Sequence, residues 1–273
     1  MKTIVVATDF SAGANRAAHV AAQLARAQDA SLVLVHVFHF WPANPPELNG
    51  DFPLSATAMR DEGQRAISQL AHELHSQYGA GLFIRSLVRE GYVIPTIQET
   101  TRHEKADLLV MSTVGSAPQS AQLMGSIASA MVSETNVPLL LIPPAAGYAA
   151  IKNIVLAVDL NSPPDAIVLE TALRFVRQFD SVVNVLSIHE RPSDETVRSR
   201  AEHLRRLIAS VPHTLTILPG DAVYETLLTF AHANKADLIM MLPQPHNWFI
   251  RLFSEGNTER MARLTDIPLL AVV

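Results

Sequence analysis

The chain repeats itself, and this bounds its fold more tightly than any other feature. Ile4-Val5-Val6-Ala7-Thr8-Asp9 returns as Ile154-Val155-Leu156-Ala157-Val158-Asp159, and Lys105-Ala106-Asp107-Leu108-Leu109-Val110-Met111 returns as Lys235-Ala236-Asp237-Leu238-Ile239-Met240-Met241. A third pair, Val137-Pro138-Leu139-Leu140 and Ile267-Pro268-Leu269-Leu270, closes each copy. Two copies of one domain follow, residues 1–147 and 148–273, joined near residues 145–150. The opening segments are 150 positions apart and the later ones 130, so the first copy holds about twenty extra residues between them. Most of that excess is expected at residues 39–53, where Pro42, Pro45, Pro46, Gly50 and Pro53 oppose regular structure. Loops of this length serve as lids or binding loops in some domains and are tolerated insertions in more.

Within each copy, short apolar runs alternate with amphipathic stretches. In the first copy the pattern predicts strands at 3–8, 31–38, 82–88, 107–111 and 138–142, with helices at 12–28, 54–78, 93–104 and 126–135. The second copy repeats the strands near 153–158, 182–188, 215–218, 237–242 and 269–273. Apolar strands without polar alternation, separated by helices, indicate parallel sheets covered on both faces. The expected fold is therefore α/β: two tandem, doubly wound, five-stranded parallel-sheet domains of Rossmann-like type. Ligands of such folds lie beyond the carboxyl ends of the strands. At 273 residues and 48% hydrophobic, the chain has material for two cores. With no cysteine it has no disulfide and no thiolate chemistry. A net charge of −5 without a basic stripe argues against a nucleic-acid surface. Neither a signal peptide nor an apolar run of membrane-spanning length is present, so a cytoplasmic protein with no membrane partner is expected.

The segment between the fourth strand and the helix from Ser126 has a glycine near each end, Gly115 and Gly125, separated by nine residues. Glycine lets main-chain N–H groups approach an anion, and the first turn of a helix attracts negative charge, so this loop reads as a phosphate cradle. Asp9, ending the first strand, would meet it there. On this spacing and the repeat, the chain resembles a tandem universal stress protein over essentially its whole length. The family's nucleotide-binding loop runs Gly, two residues, Gly, nine residues, Gly, then Ser or Thr; here Ser112 stands at the first glycine. The resemblance implies an adenine-nucleotide-binding stress-response regulator, with ATP or another adenine nucleotide as ligand. It implies main-chain contacts to adenine from Ala7, Thr8 and Val37, with Asp9 facing the ribose and a phosphate-bound magnesium. Met111 and Ser112 would flank the ribose, Thr113 and Gly115 begin the phosphate cradle, and Gly125, Ser126 and Ile127 complete it. It also implies pairing through the last strands: a pseudo-dimer within the chain, able to dimerise again, with protein partners that the residues do not identify.

The second copy acts as an internal control. Ser112 becomes Leu242, Gly115 becomes Pro245, Gly125 becomes Glu255 and Ser126 becomes Gly256, so a main-chain donor is lost and a carboxylate is placed against a phosphate. Nucleotide binding is expected in the first copy alone. In place of a cradle the second loop carries Trp248, Phe249, Ile250, Leu252 and Phe253, suited to local packing or to an interface. Blander alternatives stand beside these readings. Asp9 could simply cap the following helix, and Gly125-Ser126 could simply start one. His72 and His75 share a helix face without a carboxylate to complete a metal site, His36 suits a buried, hydrogen-bonded position, and His39, Phe40 and Trp41 suit anchoring or covering roles at the long loop. The chain has no nucleophile with an adjacent base, no Gly-x-x-x-x-Gly-Lys-Ser/Thr loop and no Lys or Arg near the two glycines in sequence, so at most slow, magnesium-dependent ATP hydrolysis is expected. A nucleotide-free interaction scaffold is the remaining alternative.

Overall fold

The computed structural model describes residues 1–40, 55–79, 81–115, 126–162, 164–242 and 266–273. The first half runs β1 (Thr3–Ala7), α1 (Ala12–Ala27), β2 (Ser31–Phe38), α2 (Ala56–Tyr78), β3 (Ile84–Glu90), α3 (Val93–His103), β4 (Leu108–Ser112), α4 (Ser126–Glu134) and β5 (Leu139–Ile142). The second runs β6 (Asn153–Ala157), α5 (Ala166–Phe179), β7 (Val182–His189), α6 (Glu195–Leu207), β8 (His213–Pro219), α7 (Val223–Ala233), β9 (Leu238–Met241) and β10 (Leu269–Ala271). Each half is a five-stranded parallel sheet, and the two fuse into one ten-stranded sheet of order β3-β2-β1-β4-β5-β10-β9-β6-β7-β8. The junction, β5 on β10, is antiparallel, with Leu140 opposite Leu270 and Leu139 opposite Ala271. Since Leu140 and Leu270 are the same position of the repeat, a pseudo-two-fold axis passes between them.

Strand pleating sorts the apolar residues onto two faces. Ile4, Val6, Leu32, Leu34, Leu108 and Val110 pack with α1 and α2, while Val5, Ala7, Val33, Val35, Leu109 and Met111 pack on the side of α3 and α4. Both clusters continue across the junction: the first includes Leu140 and Leu270, the second Leu139, Leu141, Leu269 and Ala271. Each such leucine, nearly removed from water, contributes about 1.5–3 kcal/mol of burial. A side-chain bond of 2.7 Å from Gln178 Nε2 to Gln28 Oε1 ties the ends of α5 and α1 together beside the junction. Alanines at 14, 17, 18, 21, 22 and 25 form the buried stripe of α1 and let it lie close to the sheet. No helix among the described residues is long and apolar enough to cross a membrane.

The repeated Lys-Ala-Asp has a structural explanation at the amino-terminal edge of the sheet. Lys105 and Lys235 both adopt a left-handed backbone (φ 50°) that ends α3 and α7. The aspartate two residues on then turns back: Asp107 Oδ2 accepts from the main-chain N–H of Lys2 (2.6 Å) and Thr3 (3.1 Å), and Asp237 Oδ2 from Lys152 and Asn153 (both 2.9 Å). Each carboxylate thus fixes where the first strand of its half enters the sheet.

The extra residues of the first half divide between loop and helix: 17 residues separate β2 from α2 against 5 between β7 and α6, and α2 has 23 residues against 13 in α6, so the larger share falls in the loop, as expected, and ten lengthen the helix. Two expectations need correction. Helix α2 begins at Ala56, not at 54, because the Ser55 hydroxyl accepts from Ala58 N–H at 3.1 Å and caps it. The third strand spans Ile84–Glu90, not 82–88, since Leu82 is buried in the turn after Gly79 (φ 90°). Asp107→Ala is expected to cost about 1 kcal/mol in urea unfolding by removing a charged acceptor for two main-chain donors, and Asp237→Ala a similar amount.

Candidate functional site

β1 and β4 are parallel neighbours, with Val5 beside Leu109 and Val6 beside Val110, so their carboxyl ends release Asp9 and residues 112–115 side by side. Ser11, not Asp9, caps α1: its Oγ accepts from Ala14 N–H at 3.2 Å. Asp9 is held by its Oδ1, which accepts from Ser11 N–H at 3.1 Å. Its other carboxylate oxygen lies against Gly115, where an added Cβ would stand 2.9 Å from Oδ2. Any other residue at 115 would push the carboxylate or the loop away. Ser112, the departure from the family's glycine, is accommodated without left-handed backbone. Its hydroxyl accepts from Val114 N–H at 3.2 Å and sits over Gly13 of α1, where an added Cβ would lie 2.5 Å from Ser112 Oγ and 2.9 Å from the Val114 carbonyl. Asp9, Gly13, Ser112 and Gly115 therefore form one close-packed group. Gly13 was not singled out from the sequence, although a glycine opening an alanine-rich helix is the signal for such an approach.

The main chain of Val37 is oriented by ladder parity. Thr8 N–H donates to Val35 C=O and Gly91 N–H to Phe38 C=O, both at 2.9 Å, so odd residues of β2 bond toward β1 and even residues toward β3. Val37 comes next in the odd series and faces the side where β1 has ended. There the Thr8 carbonyl accepts from His36 Nδ1 at 2.9 Å, which makes Nδ1 the protonated nitrogen. The His36 ring, half-buried, lies 4.4 Å from the Phe10 ring, and Gly63 admits α2 against it, an added Cβ standing 3.0 Å from Cδ2. Phe10 itself is left-handed (φ 63°), an uncommon conformation for a bulky residue, at the turn between Asp9 and α1. Both main-chain groups of Thr8, expected to meet adenine, are thus engaged within the fold, its N–H by Val35 and its carbonyl by His36. Ala7 and Met111 are buried beneath the edge on the α3–α4 face. Thr113 N–H donates to Ile142 C=O at 3.0 Å, Ser126 opens α4, and Ile127 in its first turn is exposed. Gly125 and the rest of residues 116–125 lie outside the described residues, as do residues 41–54 with Trp41, and Pro245, Glu255, Gly256 and the 248–253 apolar cluster.

In the second half, side chains bridge the equivalent ends of β6 and β7. Asp159 Oδ1 accepts from Asn161 N–H (2.8 Å), and Asn161 Oδ1 is 2.9 Å from His189 Nε2. Arg191 N–H donates to His189 Nδ1 (3.2 Å), which leaves Nε2 as the donor to Asn161. Arg200 Nη1 donates to the carbonyls of Leu160 (3.0 Å) and Asn161 (3.2 Å). This network spans from the end of β7 to the loop after β6, the gap that Val37 faces in the first half. Leu160 and Leu242, at the places of Phe10 and Ser112, are buried in the core. Asn161, His189 and Arg200 escaped the sequence reading because each is unremarkable until the fold brings them together. Among the described residues two acidities are displaced, one of them, Asp194, near His189. Burial raises the Tyr78 phenol, and the Thr196 main-chain N–H lowers the Asp194 carboxyl at the start of α6. Among the described residues, no group of three or more His, Asp or Glu could hold a metal ion.

A doubly wound parallel sheet with small residues close-packed at the carboxyl ends of its central strands defines an α/β protein of Rossmann-like type. The universal stress protein family matches residues 1–143 and 150–273, and the chain belongs to it. Over 141 residues, 52% of the chain, it is 28% identical to a universal stress protein of Methanocaldococcus jannaschii (81% of that protein) and 33% identical to one of Thermus aquaticus (98% of that protein). A universal stress protein structure from Archaeoglobus fulgidus has the same fold, with a TM-score of 0.73 at 14% identity over 99% of this chain and 95% of that one. Gly13→Ala is expected to lower stability by about 1–3 kcal/mol in thermal unfolding. That would reverse the usual gain of up to about 1 kcal/mol for alanine over glycine in a helix.

Proposed function

We propose that this protein binds one adenine nucleotide per chain, at the carboxyl edge of its first half, and acts as a nucleotide-responsive stress regulator through protein partners. The reading treats residues 1–147 and 148–273 as a binding unit and a non-binding unit. The observation that carries it is the approach of Gly115 to Asp9, which an added Cβ would obstruct at 2.9 Å. It gives a glycine backbone next to a carboxylate at the mouth of the loop leading to α4, where anions are favoured. Along the edge, Val37 would meet the base, Met111 and Ser112 the ribose, and Thr113, Gly115, Gly125, Ser126 and Ile127 the phosphates. Asp9 would face a magnesium ion held by those phosphates. In the second half the Asn161–His189 bond and buried Leu242 favour exclusion of the ligand.

Titration calorimetry of the full chain with ATP is expected to give a stoichiometry of one. Gly125→Glu, which imposes the second half's residue, should weaken binding at least about tenfold through charge repulsion. A stoichiometry of two, or no binding, contradicts the proposal.

A further inference from the structure

Tyr92 is a residue that the fold does not explain. It is the N-cap of α3, a position where Ser, Thr, Asp or Asn stabilises the helix, and it makes no side-chain capping bond. Its side chain is not buried either, since Tyr92 is 66% exposed. What it touches is His39: the two rings stand 4.6 Å apart at 23°, stacked. His39 follows the last residue of β2, two positions beyond Val37. Tyr92 follows Gly91, whose N–H donates to the Phe38 carbonyl and whose φ of 154° suits glycine. The stacked pair therefore stands at the carboxyl ends of β2 and β3, about one strand spacing, or roughly 4.8 Å, from the gap that Val37 faces. The second half has neither ring: the N-cap of α7 is Ala222 and the residue after β7 is Glu190. Both aromatics are thus missing from the half in which Asn161 and His189 bridge the strand ends.

We infer that Tyr92 and His39 form an aromatic platform on which the nucleobase stacks, so that they set preference for a base-bearing ligand over a bare polyphosphate. This rests on the nucleotide reading above and adds a stacking surface for the base that Val37 would meet. Stacking acts on the π-face of the base and is independent of the charges that hold the phosphates.

The test is calorimetry on the full chain and its Tyr92→Ala and Tyr92→Phe variants, with ATP and inorganic tripolyphosphate as probes. Tyr92→Ala is expected to weaken ATP binding about tenfold and to leave tripolyphosphate binding unchanged, while Tyr92→Phe keeps the unaltered affinity for both. An unchanged ATP affinity in Tyr92→Ala overturns the platform alone. So does an equal loss for both probes, which marks a structural effect. Failure of the unaltered chain to bind ATP overturns the nucleotide reading and the platform together.

Discussion

The antiparallel pairing of β5 with β10 is the constraint from which the remaining architecture follows. It joins equivalent strands about a pseudo-two-fold axis, so the two halves meet through the same positions and differ in what lies away from that junction. The apolar clusters on both faces run through this junction. The duplicated Lys-Ala-Asp segments, each binding the entry of the first strand of its half, keep the amino-terminal edges alike. Symmetry is enforced in the core and at one edge of the sheet and relaxed at the other.

At the relaxed edge the described residues of the two halves differ in size and bonding. In the first, small residues let main chain and carboxylate approach, with Gly13 under Ser112 and Gly115 against Asp9. His36 draws the Thr8 carbonyl to itself while Val37 faces outward. In the second, leucines replace Phe10 and Ser112, and a histidine, an asparagine and an arginine link the strand ends. A polar network whose members satisfy one another is rigid.

Strand and helix order, and the meeting of Asp9 with the segment after β4, were legible in the sequence because hydrophobic runs report burial and the repeat reports correspondence. The fused sheet was implied by family resemblance, not by periodicity, since a central strand and a junction strand have the same apolar pattern. The closest contacts were not legible. The proximity of Gly13 to Ser112 depends on how near α1 lies to β4, and the His36–Thr8 bond on a ring turning back across the strand end. The capping role went to Ser11 and not to Asp9 because left-handed Phe10 and extended Ser11 separate Asp9 from the helix, a local geometry that composition does not encode. The length of α2, by contrast, was legible to within two residues, because its apolar periodicity runs unbroken to Tyr78.

The most direct test of one competent edge and one closed edge on a symmetric sheet is amide NMR of the full chain during titration with ATP. The account predicts that Val37, Ser112, Thr113 and Gly115 shift as ligand is added, while Ile188 and Leu242, at the places of Val37 and Ser112, stay in position. Equal shifts at Ile188 and Leu242, or no shift in the first group, would contradict it.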